Sequence, residues 1–122
     1  MNVSVIAAVL LAAAVGLGAF GAHGLRDKLD AYSMSVWEKA VFYHFVHAFG
    51  MLILPLFAKA GALSETSATR IALVLCAGIL LFSGSLYVLA VTGIRTLGIV
   101  TPFGGVAFIA GWLMLAWCLA RK

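Results

Sequence analysis

Residues 71–94 read IALVLCAGILLFSGSLYVLAVTGI and contain no Lys, Arg, Asp or Glu. A helix needs roughly 20 apolar residues to cross the hydrocarbon core of a bilayer, so this stretch predicts a transmembrane helix. Three further stretches lack charged residues in the same way: 1–25, 40–58 and 96–120. We therefore expect an all-α integral membrane protein, a four-helix bundle with a short interfacial segment between helices one and two.

The composition agrees with this fold and excludes several classes of function. Apolar residues make up 65% of the chain and charged residues 10%, against about 25% charged residues in an ordinary soluble domain. The net charge of +4 does not indicate nucleic acid, because the basic residues fall at predicted helix ends, where lipid phosphates attract them. We expect a single transmembrane domain over residues 1–122, surrounded by the lipid bilayer and without a nucleic-acid partner.

Local signals predict where the helices begin and end. Ser35 and Glu38 have the spacing of a capping box, which places the start of the second helix beside them. Gly93 is placed to end the third helix, and Thr101 followed by Pro102 has the form of an N-cap and a first helical residue. The predicted helices span about 3–22, 36–58, 68–92 and 102–120.

The longest predicted connector, residues 23–35, joins the first two helices. Its Leu25, Leu29 and Tyr32 are spaced to share one face of a short helix, which is typical of a segment lying in the membrane interface. Trp37 follows at a depth where aromatic belts form, so we expect its ring at the headgroup level.

Small residues recur at intervals of four along the first helix. Such ladders allow two backbones to approach closely, which favours helix contacts in lipid, although Ala and Gly are also common in membrane helices generally. The two ladders consist of Ala8, Ala12 and Gly16, and of Ala14, Gly18 and Ala22.

The basic residues do not orient the chain. With four spans, both termini share one side with the connector between helices two and three. That side carries Lys59, Arg70, Arg121 and Lys122, and the other carries Arg26, Lys28, Lys39 and Arg95. The count is equal, so the positive-inside rule favours neither orientation.

Most polar residues of the predicted helices fall in one half of the membrane. Ionisable groups there are costly and often functional. The candidate ligand site or polar cluster consists of His23, Tyr43, His44, His47 and Tyr87. One interpretation is structural, with neutral histidines hydrogen-bonded across helices. The other is that the cluster binds a small ligand, a metal or haem, or passes protons.

His47 is the residue for which the structural interpretation is most specific. At its depth an unpaired imidazolium would be expensive. We expect it to be neutral and hydrogen-bonded across a helix boundary, with Ser83, Ser85 or Tyr87 as its partner. No spacing in the sequence indicates a metal site, a catalytic residue or a cofactor. Cys76 and Cys118 are expected to be buried small apolar residues, and a disulfide between them is the alternative.

Several local motifs together resemble a known family. They are Gly18-Ala19-Phe20-Gly21-Ala22-His23-Gly24-Leu25, Trp37-x-x-Ala40-x-x-Tyr43-His44-x-x-His47-Ala48, Phe82-Ser83-Gly84-Ser85-Leu86-Tyr87, Thr92-Gly93 and Thr101-Pro102-Phe103-Gly104-Gly105. The chain resembles the YgdD/YwdK-like small inner-membrane proteins, a family of unknown function related to small mitochondrial transmembrane proteins of eukaryotes. The resemblance implies a multi-pass protein of the bacterial inner membrane and brings no catalytic or binding residues with it.

The sequence leads to two hypotheses about function. The first is a non-enzymatic structural or accessory protein that acts by helix packing, either in a homo-oligomer or in a larger membrane complex, without a cofactor. The second is a membrane-embedded protein that handles a small ligand, a metal or haem, or protons through the candidate cluster.

Overall fold

Four long helices make up almost the whole protein, whose computed structural model describes residues 1–121. The helices span Val3–His23, Ala31–Lys59, Glu65–Thr92 and Thr101–Ala120 and are called the first to fourth helix below. Each belongs to a segment long and apolar enough to cross a membrane, and the described residues contain no strand. The predicted four-helix membrane fold is therefore confirmed.

Short connectors divide the bundle into two ends, because such connectors join antiparallel helices. Both termini and the connector 60–64 lie at what we call the terminal end, and the connectors 24–30 and 93–100 lie at the opposite end. The connector 24–30 forms turns in place of the predicted interfacial helix. The side chain of Leu25 in this connector is buried in a cluster with Val36 and Trp37 of the second helix, and this contact fixes the connector against the bundle.

The second helix begins at Ala31, earlier than the predicted start at residue 36. Asp30 is the N-cap, and its carboxylate accepts a hydrogen bond of 2.7 Å from the backbone N–H of Ser33. The hydroxyl of Ser35, which was expected to form a capping box, donates to the Tyr32 carbonyl inside the helix. An aspartate caps a helix as well as a serine does, and here the upstream residue takes that position.

Acid should weaken this N-cap. Hydrogen bonds from Ser33, and to a smaller extent the charge of Arg95, hold the pKa of the Asp30 carboxyl below its ordinary value of 3.8. The ionised cap therefore stabilises the helix above the ordinary pKa, and this stabilisation is lost as pH falls through the lower pKa of the folded state. Asp30→Asn should keep the cap but remove its pH dependence. Acid unfolding in detergent, followed by circular dichroism, would contradict this if wild type and variant gave the same pH profile.

The third helix begins at Glu65, with the Ser64 side chain accepting from the N–H of Ser67. One turn of it, Ile79–Ser83, is wound as a π-helix, a feature the hydropathy pattern does not reveal. Gly93 ends the helix in the left-handed conformation, with a φ of 72°, as predicted.

The second helix lies at the centre of the packing. It contacts the first helix along one side and the third helix along the other, while the fourth helix packs mainly against the third. Only one of the two small-residue ladders turns toward the bundle, and only in part: Ala14 is buried, Gly18 half-buried and Ala22 exposed, whereas all of the other ladder is exposed. That exposed ladder consists of Ala8, Ala12 and Gly16.

The third and fourth helices approach most closely at Gly104. A Cβ built at Gly104 would lie 2.7 Å from the Cα of Phe82, within the π-helical turn. The neighbouring Gly105 has room, because its Cβ would lie 3.9 Å from the Phe82 ring. The contact between the two backbones therefore requires glycine at position 104 but not at the neighbouring position 105.

Gly104→Ala should separate the third and fourth helices. The added methyl group meets backbone atoms, which cannot rotate away, so we expect a loss of about 1–3 kcal/mol in the free energy of unfolding. Gly105→Ala is the matched control and should change stability little. Equal stability of the two variants in a denaturant titration in mixed micelles would contradict the close contact.

Candidate functional site

The contact between the first and second helices centres on the indole of Trp37. Its Nε1–H donates to the backbone carbonyl of Leu17 at 3.0 Å. The ring occupies the space beside Gly21, where any Cβ would overlap it. Trp37 is buried between the helices, so its ring does not face lipid as a residue of an aromatic belt would; its level relative to the headgroups stays a prediction. Gly21 leaves space for the ring and the Leu17 carbonyl accepts its hydrogen bond. These two contacts hold the indole between the two helices.

Two polar contacts join the second helix to the third. The fully buried Ser83 hydroxyl donates to the Ala40 carbonyl at 2.7 Å. The His44 Nδ1 lies 2.8 Å from the Tyr87 hydroxyl, and one of these two atoms donates to the other. The Tyr87 ring also meets the Trp37 ring edge-on, at 4.8 Å between centroids. These second-helix positions share one face, since they are three and four residues apart.

His47 does not make the predicted hydrogen bond across a helix boundary. Its Nδ1 lies 2.7 Å from the carbonyl of Tyr43, one turn earlier on the same helix. The contact that His47 makes with another helix is made by its ring, which stacks on Phe108 of the fourth helix with 3.4 Å between centroids and 11° between planes. Trp112 lies beside it at 5.8 Å. His47 therefore acts mainly as a flat aromatic surface in the core.

His44 leaves one polar atom unpaired. Its imidazole is 4% exposed, and Nε2 has no hydrogen-bond partner among the described residues. The backbone of Leu10, on the first helix, approaches the ring, but not in the geometry of a hydrogen bond.

The five residues of the predicted cluster do not surround a common point. His44 is directed to the third helix and the His47 ring packs on the fourth, while Tyr43 stacks beside His47. His23 is exposed at the end of the first helix and makes no hydrogen bond or ring contact with the others. Within residues 1–121 no group of three or more His, Cys, Asp or Glu is arranged to hold a metal ion.

The third and fourth helices share one polar contact that sequence reasoning missed. The hydroxyls of Ser85 and Thr101 lie 2.6 Å apart, and Ser85 also donates to the Phe82 carbonyl. The prediction of Thr101 as the N-cap is wrong, because the fourth helix begins at Thr101 itself and no side chain caps it. Its position beside Ser85 follows from how the two helices align. The two cysteines are free thiols in half-buried positions, so the alternative of a disulfide is wrong.

These contacts define a compact multi-pass helical membrane protein whose interior polar groups hold its helices to one another. Residues 17–105 match a family model described as "Protein of unknown function (DUF423)". That range includes the Trp37, His44 and Tyr87 contacts described above. The chain belongs to this family.

Several bacterial proteins are similar to this chain over most of its length. A UPF0382 membrane protein of Staphylococcus haemolyticus is 48% identical over 91% of this chain and 88% of its own. Another from Staphylococcus saprophyticus is 52% identical, over 84% and 82%. The UPF0382 membrane protein YwdK of Bacillus subtilis is 47% identical, over 91% and 89%. No solved structure matches the chain.

The family and the fold together establish what kind of protein this is. It is a small multi-pass protein of the bacterial cell membrane, from a family of unknown function. The family description and the names of these relatives indicate no enzymatic activity and no ligand, metal or proton-handling role. The hypothesis that the candidate cluster handles a small ligand, a metal, haem or protons therefore gains no support from the proteins similar to this chain.

The hydrogen bond between His44 and Tyr87 should stabilise the fold modestly. In a double-mutant cycle of His44→Leu and Tyr87→Phe, we expect a coupling of about 0.6 kcal/mol, the average for such bonds in a membrane protein. Tyr43→Phe is the matched control, because the Tyr43 hydroxyl makes no hydrogen bond with another described residue. Unfolding in mixed micelles measures all of these variants. A coupling near zero would show that the two side chains act independently.

Proposed function

We propose that this protein is a non-enzymatic accessory protein that presents its first helix to a transmembrane helix of a second membrane protein. The first helix lies at the edge of the bundle, because its main contact is with the second helix alone. In its most apolar part only 17% of residues are buried, against 39% and 44% in the second and third helices. Most of its surface is therefore available to lipid or to another helix.

The exposed ladder of the first helix carries this proposal. Ala12 and Gly16 lie on the side away from the bundle, since the buried Ala7 and Ala14 lie on the opposite side. Ala8 lies nearer the bundle and lines a hollow with Pro55 of the second helix. A Cβ at Gly16 would meet nothing within 4 Å. Small residues on a free face let another backbone approach and gain dispersion contacts, which drive helix association in lipid.

The small residues inside the bundle are used differently. The positions Gly21, Gly50, Gly78, Gly104 and Gly111 are each filled by a neighbouring ring, side chain or backbone. The fourth helix shows what a lipid-facing surface of this chain looks like, because it exposes large side chains. These are Phe103, Val106, Ile109, Leu113 and Trp117. The first helix also exposes large side chains beside the ladder, namely Val5, Val9 and Val15. We infer that the strip of small residues next to them is where a second helix can approach.

A bulky side chain on the ladder should remove the partner. Ala12→Ile places a branched side chain where the two backbones meet, and overpacking of about 1–3 kcal/mol corresponds to an association weaker by roughly 5- to 150-fold. Ala13→Ile is the matched control: Ala13 is also exposed, but it is rotated by about 100° around the helix. Cross-linking in native membranes, followed by extraction in mild detergent, gives the amount and mass of the complex.

The outcomes separate the proposal from its alternatives. A complex that contains a second membrane protein supports the proposal, and a complex made only of copies of this chain identifies self-association and overturns the accessory role. If the wild type is monomeric in the membrane and no partner is captured, the proposal fails. It also fails if Ala12→Ile and Ala13→Ile weaken the complex equally, because the ladder would then have no special part in it.

A further inference from the structure

We propose that a cleft between the third and fourth helices at the terminal end binds the headgroup of an anionic phospholipid. The cleft consists of two adjoining hollows of about 290 and 170 Å³, which share Ser67 and Cys118. Arg121 lines the larger hollow and Arg70 lines the smaller one. Each of the two helices thus contributes one guanidinium group to the same cleft.

The charges of the cleft are suited to a phosphate. Neither hollow is lined by an Asp or a Glu. Within residues 1–121 no carboxylate pairs with Arg70 or Arg121. The Arg121 guanidinium lies over the Trp117 ring, at 5.6 Å from its centroid, a contact that leaves its N–H groups able to donate. A guanidinium offers a planar set of donors that matches phosphate oxygens.

Ser67 adds a neutral donor at the point where the hollows meet. The Ser64 hydroxyl donates to the Ser67 hydroxyl at 3.0 Å, and the Ser67 N–H donates back to Ser64, also at 3.0 Å. Because the Ser67 oxygen accepts in this pair, its own proton remains available for a further acceptor. The pair holds this hydroxyl in place at the centre of the cleft.

The shape of the cleft favours a lipid over a soluble anion. The larger hollow lies at the helix ends, and the smaller one extends deeper, between Ile71, Met114 and Trp117. Ile71 lies about one helical turn farther into the membrane than Ser67. A phosphate beside the arginines would therefore place the attached acyl chain against an apolar wall, while the arginine side chains reach up to the headgroup level.

The distribution of carboxylates also favours the terminal end. Asp27, Asp30 and Glu38 all lie at the opposite end, and Glu65 is the remaining carboxylate side chain of the chain. Glu65 lines a different hollow, together with Lys59. The basic residues at the terminal end are thus less compensated, which strengthens their attraction for anionic lipid.

Trp117 provides a probe within the cleft. The full chain is reconstituted in phosphatidylcholine vesicles that contain a minor share of brominated phosphatidylglycerol or, in parallel, brominated phosphatidylcholine. Bromine quenches nearby indoles, and the difference between wild type and Trp117→Phe isolates the Trp117 signal. We expect the brominated phosphatidylglycerol to quench Trp117 at a lower share of lipid than brominated phosphatidylcholine does.

Three variants test whether the preference belongs to this cleft. R70Q/R121Q should reduce the preference for phosphatidylglycerol by up to roughly 30-fold, at about fivefold for each arginine. Ser67→Ala keeps both charges and should reduce it roughly two- to twelvefold, the loss of one hydrogen bond of about 0.5–1.5 kcal/mol. R26Q/K28Q removes two charges from exposed residues at the opposite end and should leave it unchanged. Circular dichroism verifies that each variant keeps the helical fold.

Three results would overturn the proposal. The first is equal quenching of wild-type Trp117 by the two brominated lipids. The second is an equal loss of preference in R26Q/K28Q and R70Q/R121Q, which would indicate attraction by overall charge. The third is an unchanged preference in Ser67→Ala, because a cleft built around that hydroxyl would then not be the place of binding.

Discussion

Helices inside a bilayer cannot associate through the hydrophobic effect, because lipid tails are as apolar as the side chains they surround. Close backbone contacts and hydrogen bonds must hold the bundle together instead. In this protein the second helix provides most of them: Trp37 donates to the first helix, while the Ala40 carbonyl and His44 pair with the third. The aromatic stack of His47 on Phe108 extends the same face to the fourth helix. One helix face thus determines where the other three lie.

Hydropathy predicts the fold because length and apolarity alone decide whether a segment spans a bilayer. The helix ends are less certain, since several residues near each end can cap. At the second helix both Asp30 and Ser35 had the chemistry of a cap, and the upstream residue forms it. The π-helical turn leaves no mark on hydropathy, yet it brings the backbone of Phe82 against Gly104.

The contacts of the candidate cluster could be predicted only in part. Helix periodicity can place residues on one face of a helix, and both His44 and His47 are buried. It cannot tell which side chain of another helix stands opposite, because that depends on the axial alignment of the helices. His44 meets Tyr87, whereas His47 bonds to the carbonyl of Tyr43, an acceptor always within reach one turn away. A side chain with a local partner does not need one across the interface.

The interior of this bundle is already occupied by its own structural contacts. Buried Ser83 is paired, the His47 ring is stacked, and the larger hollows open at the surface. His44 Nε2 is the exception, but none of the hollows described above reaches that side chain. The outer faces and the two ends of the bundle are the surfaces through which we propose that the protein acts on other molecules. Those surfaces differ in residue size and in charge, which is why the two proposals assign a helix to one of them and a lipid headgroup to another.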